Sequence, residues 1–289
     1  MINIKPKFIF ITVFGLIIGF MFGNYFIKPK IFIHNYNVRS DFEEPALEPL
    51  VNLLKIYNIT DKNRPIKLIR LGKANDGGYV VPVVALQKAT ALLGYGISND
   101  ISFEEQFSNR YQKESYGFDC TITSINIKNK LCHFIPECIA THTHSKLNFS
   151  SFSQHLKTLR LNNTPVFVKM DIEGAEYDAF IDILKHTKNI TGIVLELHFA
   201  NSLNEYNQAI KLLSKLNQNF FLIHVHGNNC CGAKFKTKNS KGYIPKVLEL
   251  TYINKSLANE AKLSINQSHP TKMDLPNCPG LDWAFEILK

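Results

Sequence analysis

Residues Phe167–Tyr177 read FVKMDIEGAEY, an apolar run that stops at the carboxylate of Asp171. Glu173, Gly174 and Glu176 follow, and a helical pattern then begins. In an open α/β sheet, ligands bind just beyond the carboxyl ends of the strands. The pattern therefore predicts a buried strand that delivers Asp171 to a binding edge. The alternative is an ordinary helix N-terminus, where acidic side chains favour the helix dipole.

Strand and helix patterns alternate through the chain after Ala89. The predicted strands are Ala91–Gly94, Ser115–Thr121, Leu131–Ala140 with an interruption at Pro136, Val166–Met170, Gly192–Phe199, Phe220–His226 and Val247–Ile253. The predicted helices are Leu47–Tyr57, Asp100–Tyr111, Asn148–Leu161, Glu176–His186 and Ser202–Asn217. This alternation predicts an α/β fold with a Rossmann-like, doubly wound, mostly parallel sheet. A loop joins the last two strands, which indicates an antiparallel end to the sheet.

Earlier in the chain, Asp76-Gly77 lies between two β-rich runs, Ile66–Leu71 and Tyr79–Val83. An Asp-Gly pair in this setting predicts a β-hairpin. The hairpin is either a simple turn or a flap over a binding site, with Arg70 and Lys73 nearby.

The N-terminus has a different character. Phe8–Ile27 carries no charge and is long enough, at about 20 residues, to span a bilayer as a helix. A cleaved signal peptide is the alternative, but its apolar core is shorter and ends at a small-x-small site, which is missing here. We therefore predict one transmembrane signal anchor ahead of the α/β domain. The predicted organisation is a tail at 1–7, the anchor at 8–27, a stem at 28–60 and the domain at 61–289.

Six cysteines and six Asn-x-Ser/Thr sequences bear on the compartment. The cysteines are Cys120, Cys132, Cys138, Cys230, Cys231 and Cys278. An even number suits disulfides in an oxidising compartment, although spacing does not give their connectivity. Lysines flank the anchor on both sides, so the positive-inside rule does not set its orientation. We expect a single-pass membrane protein whose domain faces the lumen of the Golgi or endoplasmic reticulum, or is otherwise extracytoplasmic.

The net charge of +9 is spread along the chain without a long basic run. Four of the positive charges flank the anchor, at Lys5, Lys7, Lys28 and Lys30. A nucleic-acid-binding surface needs a basic patch or stripe. We therefore expect no nucleic-acid partner.

Two features mark a candidate nucleotide-type site. Gly94-Tyr95-Gly96 follows the first strand of the alternating series, where glycines let the backbone turn tightly beside a ligand. The third glycine of the dinucleotide fingerprint and the Gly-Lys-Ser/Thr of a phosphate-binding loop are both missing, which argues against a standard NAD site and against an NTPase. Asp119 ends the next strand and suits ribose hydroxyls, the alternative being a solvated carboxylate.

Histidines and carboxylates end the later strands. Strand alternation puts Glu196 and His198 on one face of their strand, and His224 and His226 on one face of theirs. Such histidines suit general-base chemistry near neutral pH, although for each histidine taken alone a structural role is the favoured explanation. Together with Asp171 they could also hold a divalent cation, but no compact ligand motif is present, so a metal stays an open alternative.

These motifs together resemble those of the FkbM-like S-adenosylmethionine-dependent methyltransferases. The resemblance rests on Arg70–Lys73 with Asp76–Tyr79, on Gly94–Glu104, on Phe118-Asp119 and on Lys169–Glu176. His226–Asn229, Val247–Thr251 and Met273–Asn277 extend it toward the membrane-anchored group related to methyltransferase-like protein 24. Gly94-Tyr95-Gly96 departs from the usual Asp-x-Gly-Ala-Asn opening of the family.

The resemblance implies a site for S-adenosylmethionine. Gly94, Tyr95 and Gly96 would lie under its methionine part, Asp119 would hold the ribose, and Asp171 would lie beside the sulfonium and the acceptor. His198, His226 or Glu196 would take the proton of the acceptor. The implied reaction is O-methylation of a sugar, a glycan or another small hydroxyl compound.

Two other functions compete with this interpretation. A catalytically silent Rossmann-like binding domain on a membrane anchor would keep the same fold, and the altered glycine turn favours it. A glycosyltransferase would share the anchor-and-stem organisation but would carry a metal-binding Asp-x-Asp, which does not occur in this sequence.

Overall fold

A computed structural model describes residues 48–61, 64–144, 147–199, 202–230, 234–236, 243–264, 268–283 and 285–286. Within these ranges, no helix combines the length and apolarity needed to cross a membrane. The predicted signal anchor at Phe8–Ile27 lies outside the described residues, as does the stem up to residue 47.

The helices and strands alternate along the chain. The helices are α1 (Glu48–Leu53), α2 (Val83–Lys88), α3 (Ser102–Tyr111), α4 (Phe152–Thr158), α5 (Glu176–Ile183) and α6 (Leu203–Asn219), with 3₁₀ turns at Leu184–Asn189 and Lys255–Leu257. The first nine strands are β1 (Tyr57–Asp61), β2 (Arg64–Pro65), β3 (Leu68–Leu71), β4 (Tyr79–Pro82), β5 (Ala91–Tyr95), β6 (Glu114–Phe118), β7 (Cys132–Ile135), β8 (Cys138–Ile139) and β9 (Phe149–Ser150). The others are β10 (Val166–Met170), β11 (Ile190–His198), β12 (Phe220–Gly227), β13 (Lys234–Lys236), β14 (Tyr243–Pro245), β15 (Val247–Asn254), β16 (Glu260–Leu263), β17 (Ser268–His269) and β18 (Phe285–Glu286).

Seven strands form the central sheet, in the order β7-β6-β5-β10-β11-β15-β12. All neighbours are parallel except β15, which runs antiparallel to both β11 and β12. This confirms the predicted mostly parallel α/β sheet and its antiparallel end. The chain moves outward from β5 to β7 and then returns to the other side of β5 at β10. This reversal is a topological switch point, the usual place for a ligand crevice in such sheets.

Both faces of the sheet are covered, so its central strands are buried and mostly apolar. All five residues of β10 are buried. Val168 packs in one core with Leu93, while Phe167 packs in a second core with Leu92 on the opposite face. This alternation makes β10 a fixed support for Asp171, the residue that follows it.

Residues 48–61 belong to the folded domain, and not to the stem that the sequence predicts there. Leu50 and Leu54 are 0% exposed and lie in the same core as the sheet. The amide of Asn217 in α6 also donates to the carbonyl of Leu53 at 2.8 Å. The predicted domain start at Asp61 is therefore too late, because short apolar segments before it pack against α6.

Other predicted boundaries shift at turns. The predicted helix at Asn148–Leu161 shortens to α4, whose Ser151 N-cap accepts from Gln154 N at 3.2 Å. Asn148 before this helix and Arg160 after it both have positive φ, which a helix cannot continue through. The Asp-Gly prediction is confirmed, since β3 and β4 form a hairpin around it.

Two disulfides join Cys120 to Cys138 and Cys230 to Cys278. Cys132 is buried with a free thiol, and Cys231 lies outside the described residues. The first bridge follows Asp119 directly, and the second ties the loop after β12 to the C-terminal segment.

Candidate functional site

A cleft of about 390 Å³ opens at the switch point, beyond the carboxyl ends of β5, β6 and β10. This volume lies in the range of small-molecule sites, about 300–1,000 Å³. Four of the predicted site residues line it: Tyr95, Gly96, Asp119 and Asp171. The hairpin loop also reaches the cleft through Lys73, Asp76 and Gly77, which is the placement expected of a flap.

Gly96 is required by the shape of the cleft. Its φ is +72°, and a Cβ on it would lie 1.6 Å from the carbonyl oxygen of Asp171. Only glycine lets these two strand ends approach so closely. Gly94 has a different role, because a Cβ there would meet the carboxylate of Glu104, at 1.9 Å. Tyr95 lines the cleft but is buried, and its ring stacks on Phe118 in the core.

Asp119 fixes the floor of the cleft. Its Oδ2 accepts from the backbone N–H of Ser98 at 2.7 Å, and its Oδ1 accepts from Thr121 N at 2.8 Å. The Thr121 hydroxyl also donates to Oδ1, at 2.5 Å. A carboxylate offers about four acceptor positions, so one remains, on Oδ2, for a ligand hydroxyl. Ser98 itself has φ +47°, and Glu173 on the opposite wall has φ +56°. Non-glycine residues in this region cluster at functional sites.

Asp171 lies on the cleft wall, and its two carboxylate oxygens differ in their hydrogen-bond partners. Its Oδ2 accepts from the Tyr79 hydroxyl at 2.8 Å. Its Oδ1 is shielded from solvent and has no hydrogen-bond donor. Burial raises the pKa of Asp171, and the nearby ammonium of Lys169 opposes that shift.

Strand register places Asp171 in a lateral row of carboxylates across the sheet. Met170 pairs with Leu195, so Asp171 comes beside Glu196 one position further on. Glu196 pairs in turn with Glu249, and Glu249 pairs with His226. We call Asp171, Glu196 and Glu249 the acidic row.

Keeping all three carboxylates of the acidic row charged would cost electrostatic free energy. Oxygens of Asp171 and Glu196 lie within 4.8 Å of each other. Two full charges at that separation repel by about 3–4 kcal/mol at an effective dielectric constant of about 20. Burial, followed by the charges of Asp171 and Glu249, raises the pKa of Glu196 well above its usual value. A proton shared by the pair, or a cation bound between its oxygens, would relieve this repulsion.

His198 lies next to the Asp171 end of the row. Its Nδ1 is 3.1 Å from Oε1 of the fully buried Glu176, and its Nε2 is 3.4 Å from the exposed Glu173. One ligand atom from each of His198, Asp171 and Glu196 lies within 4.8 Å of the others. Burial alone would lower the pKa of His198, but the hydrogen bond and charge of Glu176 outweigh it and raise the pKa.

His226 lies at the other end of the row and has different partners. It is 1% exposed, with Nδ1 at 2.9 Å from Glu249 and Nε2 at 3.0 Å from Asp282. Burial would lower its pKa, but the bond to Glu249 and the surrounding carboxylates raise it to about 9. A charged histidine with both nitrogens paired holds the C-terminal segment and has no site for a substrate proton. His224 contacts the same segment through Asp274, at 2.8 Å.

Several residues of the site have no strong signal in the sequence. Tyr79 comes from the hairpin and reaches Asp171 across 92 positions. Lys169 is 4% exposed and donates to the carbonyl of Gly96 at 3.0 Å. Asn228 donates to Glu196 at 3.0 Å. All three residues lie in stretches that carry the family resemblance, which is the one signal for them in the sequence.

The chain was compared with protein-family profiles and with curated protein sequences. The profile described as Methyltransferase FkbM domain matches residues 44–222, which is more than half of the 289-residue chain. The match includes the strands that carry Gly96, Asp119, Asp171 and Glu196 and ends inside β12. No curated protein sequence matches the chain. On the family match, the chain belongs to the FkbM methyltransferase family.

Proposed function

We propose that this protein transfers a methyl group from S-adenosylmethionine to a hydroxyl of a sugar or another small acceptor. The observation that carries the proposal is the position of Asp171. It lies on the wall of the switch-point cleft and also begins the acidic row, so it joins a donor pocket to a group of proton-accepting side chains.

The residues of the cleft fit the donor. Gly96 leaves room for close approach of a ligand to the backbone, and Asp119 presents a buried carboxylate of the type that binds ribose hydroxyls. Asp171 and Glu173 bring negative charge to the same cleft, which suits a cationic sulfonium. We assign Gly96 and Asp119 to donor binding, with Gly94 as a support that makes room for Glu104.

S-adenosylmethionine supplies an electrophilic methyl group on sulfur when it is bound. The acceptor oxygen gains the methyl carbon, the carbon–sulfur bond breaks with its electron pair left on sulfur, and the hydroxyl proton passes to the protein. Holding the reactants in line supplies much of the rate in such a displacement.

The proton acceptor is proposed to be the group formed by Asp171, Glu196 and His198. A buried carboxylate with a raised pKa is a better base near neutral pH than an exposed one. Tyr79 keeps its proton because burial raises its pKa well above the ordinary value, so its hydroxyl donates to Asp171 and holds that side chain in place. We leave His226 out of this group because of its two ion pairs.

We also propose that Phe8–Ile27 anchors the protein in a membrane with the domain on the extracytoplasmic side. The two disulfides support an oxidising compartment, since such bonds are rare in the cytosol. The finer resemblance to the methyltransferase-like protein 24 group is part of this proposal. Glycosidase sensitivity and protease protection of the full-length chain test on which side of the membrane the domain lies.

Calorimetry of the full-length chain with S-adenosylmethionine tests the proposed function. We expect saturable binding that Asp119→Ala abolishes and Asp119→Asn, which keeps an acceptor for Ser98 N–H, only weakens. Asp178→Ala is the matched control, because that aspartate lies on α5 and bonds Thr141 outside the cleft. Labelled S-adenosylmethionine should then methylate glycan or small hydroxyl fractions. Binding without transfer to any fraction would favour the silent binding domain.

A further inference from the structure

The geometry points to a divalent-metal site formed by Asp171, Glu196 and His198, and we propose that it binds one first-row ion such as Mn²⁺. These three side chains each offer one ligand atom within 4.8 Å of the others. Carboxylate and imidazole ligands bind such ions at about 2.0–2.2 Å, which places neighbouring ligand atoms about 3–4 Å apart. Small side-chain rotations are enough to reach that separation.

His198 is oriented as metal-binding histidines are. Glu176 is 0% exposed and fixed by the backbone N–H groups of Ile172 and Gly174. Its Oε1 lies 3.1 Å from Nδ1 of His198 and accepts a hydrogen bond from the Nδ1–H tautomer, which leaves Nε2 on the side of Glu196 and Glu173. A carboxylate that holds the second nitrogen in this way fixes the tautomer and raises ligand basicity.

A second observation is the unpaired oxygen of Asp171. Oδ1 is shielded from solvent and lacks a donor, while Oδ2 is held by Tyr79. Glu196 beside it is 4% exposed, and its Oε1 is held by Asn228. A buried carboxylate oxygen without a partner requires an explanation. A cation between the two carboxylates supplies the missing partner and relieves their repulsion.

The sulfonium of the donor is the competing explanation for this negative charge. It accounts for Asp171 on the cleft wall but gives no role to an oriented imidazole. Glu196 and His198 do not line the cleft, so a sulfonium bound there does not account for them. Carboxylates suit Mg²⁺ and Mn²⁺, and two of the three ligands here are carboxylates, so we take the first-row ion Mn²⁺ as the metal to test.

The role of the ion rests on the proposed function. With the ion bound, Asp171, Glu196 and His198 would act as its ligands in place of the direct proton acceptor proposed above. The metal would lower the pKa of a bound acceptor hydroxyl and ease loss of its proton to water. The acceptor class would then be compounds with adjacent hydroxyls, such as a sugar diol, that can bind one ion through two oxygens.

The test is titration of the full-length chain with Mn²⁺, followed by the loss of the free-ion electron paramagnetic resonance signal. We expect one tight site per chain. Glu176→Gln, which leaves the ligands in place but removes the orienting carboxylate, should weaken it by about 10–100-fold. His198→Ala and Glu196→Gln should weaken it further.

His133→Ala and Glu114→Gln are the matched controls, because they alter a partly exposed histidine–carboxylate pair between β6 and β7. Both should bind Mn²⁺ as the parent chain does. Circular dichroism tests whether each variant folds. If Glu196→Gln does not fold, Mn²⁺ binding by His198→Ala tests the metal site in its place. Absence of tight Mn²⁺ binding in the parent chain, or unchanged binding in folded His198→Ala, overturns the proposal.

S-adenosylhomocysteine binding in the same preparations separates this inference from the proposed function. Nucleoside binding without Mn²⁺ binding overturns the metal site alone and leaves the methyl-transfer proposal standing. Mn²⁺ binding without nucleoside binding supports the metal site and overturns the methyl-transfer proposal.

Discussion

The two ends of the acidic row differ in how their charge is satisfied. At the Glu249 end, one oxygen pairs with His226 and the other accepts from Asn277 at 2.6 Å. At the Asp171 end, one oxygen accepts from Tyr79 and the other has no donor. Similar side chains in one row thus form a closed structural end and an open end at the cleft. The difference lies in the described part of the C-terminal segment, residues 268–283, where Asn277 bonds Glu249 and Asp282 bonds His226.

The largest expected effect is at the open end. Asp171→Asn keeps the shape and the Tyr79 contact but removes the charge, and we expect methyl transfer to fall about 10³-fold, as for loss of a general base or its charge partner. Glu249→Gln is the matched change at the closed end. It should lower the melting temperature and reduce activity far less. Labelled methyl transfer and thermal melts measure both, and equal activity losses would remove the distinction.

The next largest effect is expected from removing the disulfide that ties the C-terminal segment to the loop after β12. Cys230 and Cys278 are 48 positions apart, and the chain-entropy model gives about 4 kcal/mol for a loop of that length. Cys278→Ser should therefore lower the free energy of unfolding by about that amount in denaturant titrations. Cys120→Ser opens a shorter loop of 18 positions and should cost about 3 kcal/mol. The reverse order would mean that strain or residual structure dominates.

Substitution of two glycines tests how closely the backbone segments approach at the open end. Gly96→Ala combines a positive φ with a Cβ clash against Asp171, and we expect a loss of about 3 kcal/mol in unfolding free energy together with weaker nucleoside binding. Gly174→Ala has φ +103° but nothing within 4 Å of its Cβ. It should cost only about 1–2 kcal/mol. Nucleoside binding retained in Gly96→Ala would contradict the close approach.

The smallest expected effect is a pH dependence at the closed end. The folded pKa of His226 is raised to about 9, so its ion pairs stabilise the fold fully below its unfolded value of about 6.5. That stability is lost as pH rises through about 9, and we expect about 2 kcal/mol, since the partly exposed Asp282 allows some screening. Unfolding titrations of the parent chain and His226→Gln at pH 6 and 9.5 measure it. A parallel decline in His226→Gln would assign the effect elsewhere.

The sheet was predictable because its strands are short apolar runs ending at Gly94-Tyr95-Gly96, Asp119 and Asp171. Each of these strand ends lies where the alternation placed it. The partners of those residues were not predictable, because they come from distant segments. Tyr79 reaches Asp171 from the hairpin, and Asn228 reaches Glu196 from the loop after β12. His198 and His226 look alike in the sequence, yet their separate partners give them separate roles.

The insertion of β15 between β11 and β12 has a consequence for synthesis of the protein. Both neighbours precede β15 in the chain, so their facing edges have no partner until residues 247–254 leave the ribosome. Unpaired edges of apolar strands recruit other chains and promote aggregation. A nascent chain that stalls between Gly227 and Val247 would therefore expose two such edges at once. Release of residues 247–254 from the ribosome is therefore the step at which both strand edges gain their partner and this route to aggregation closes.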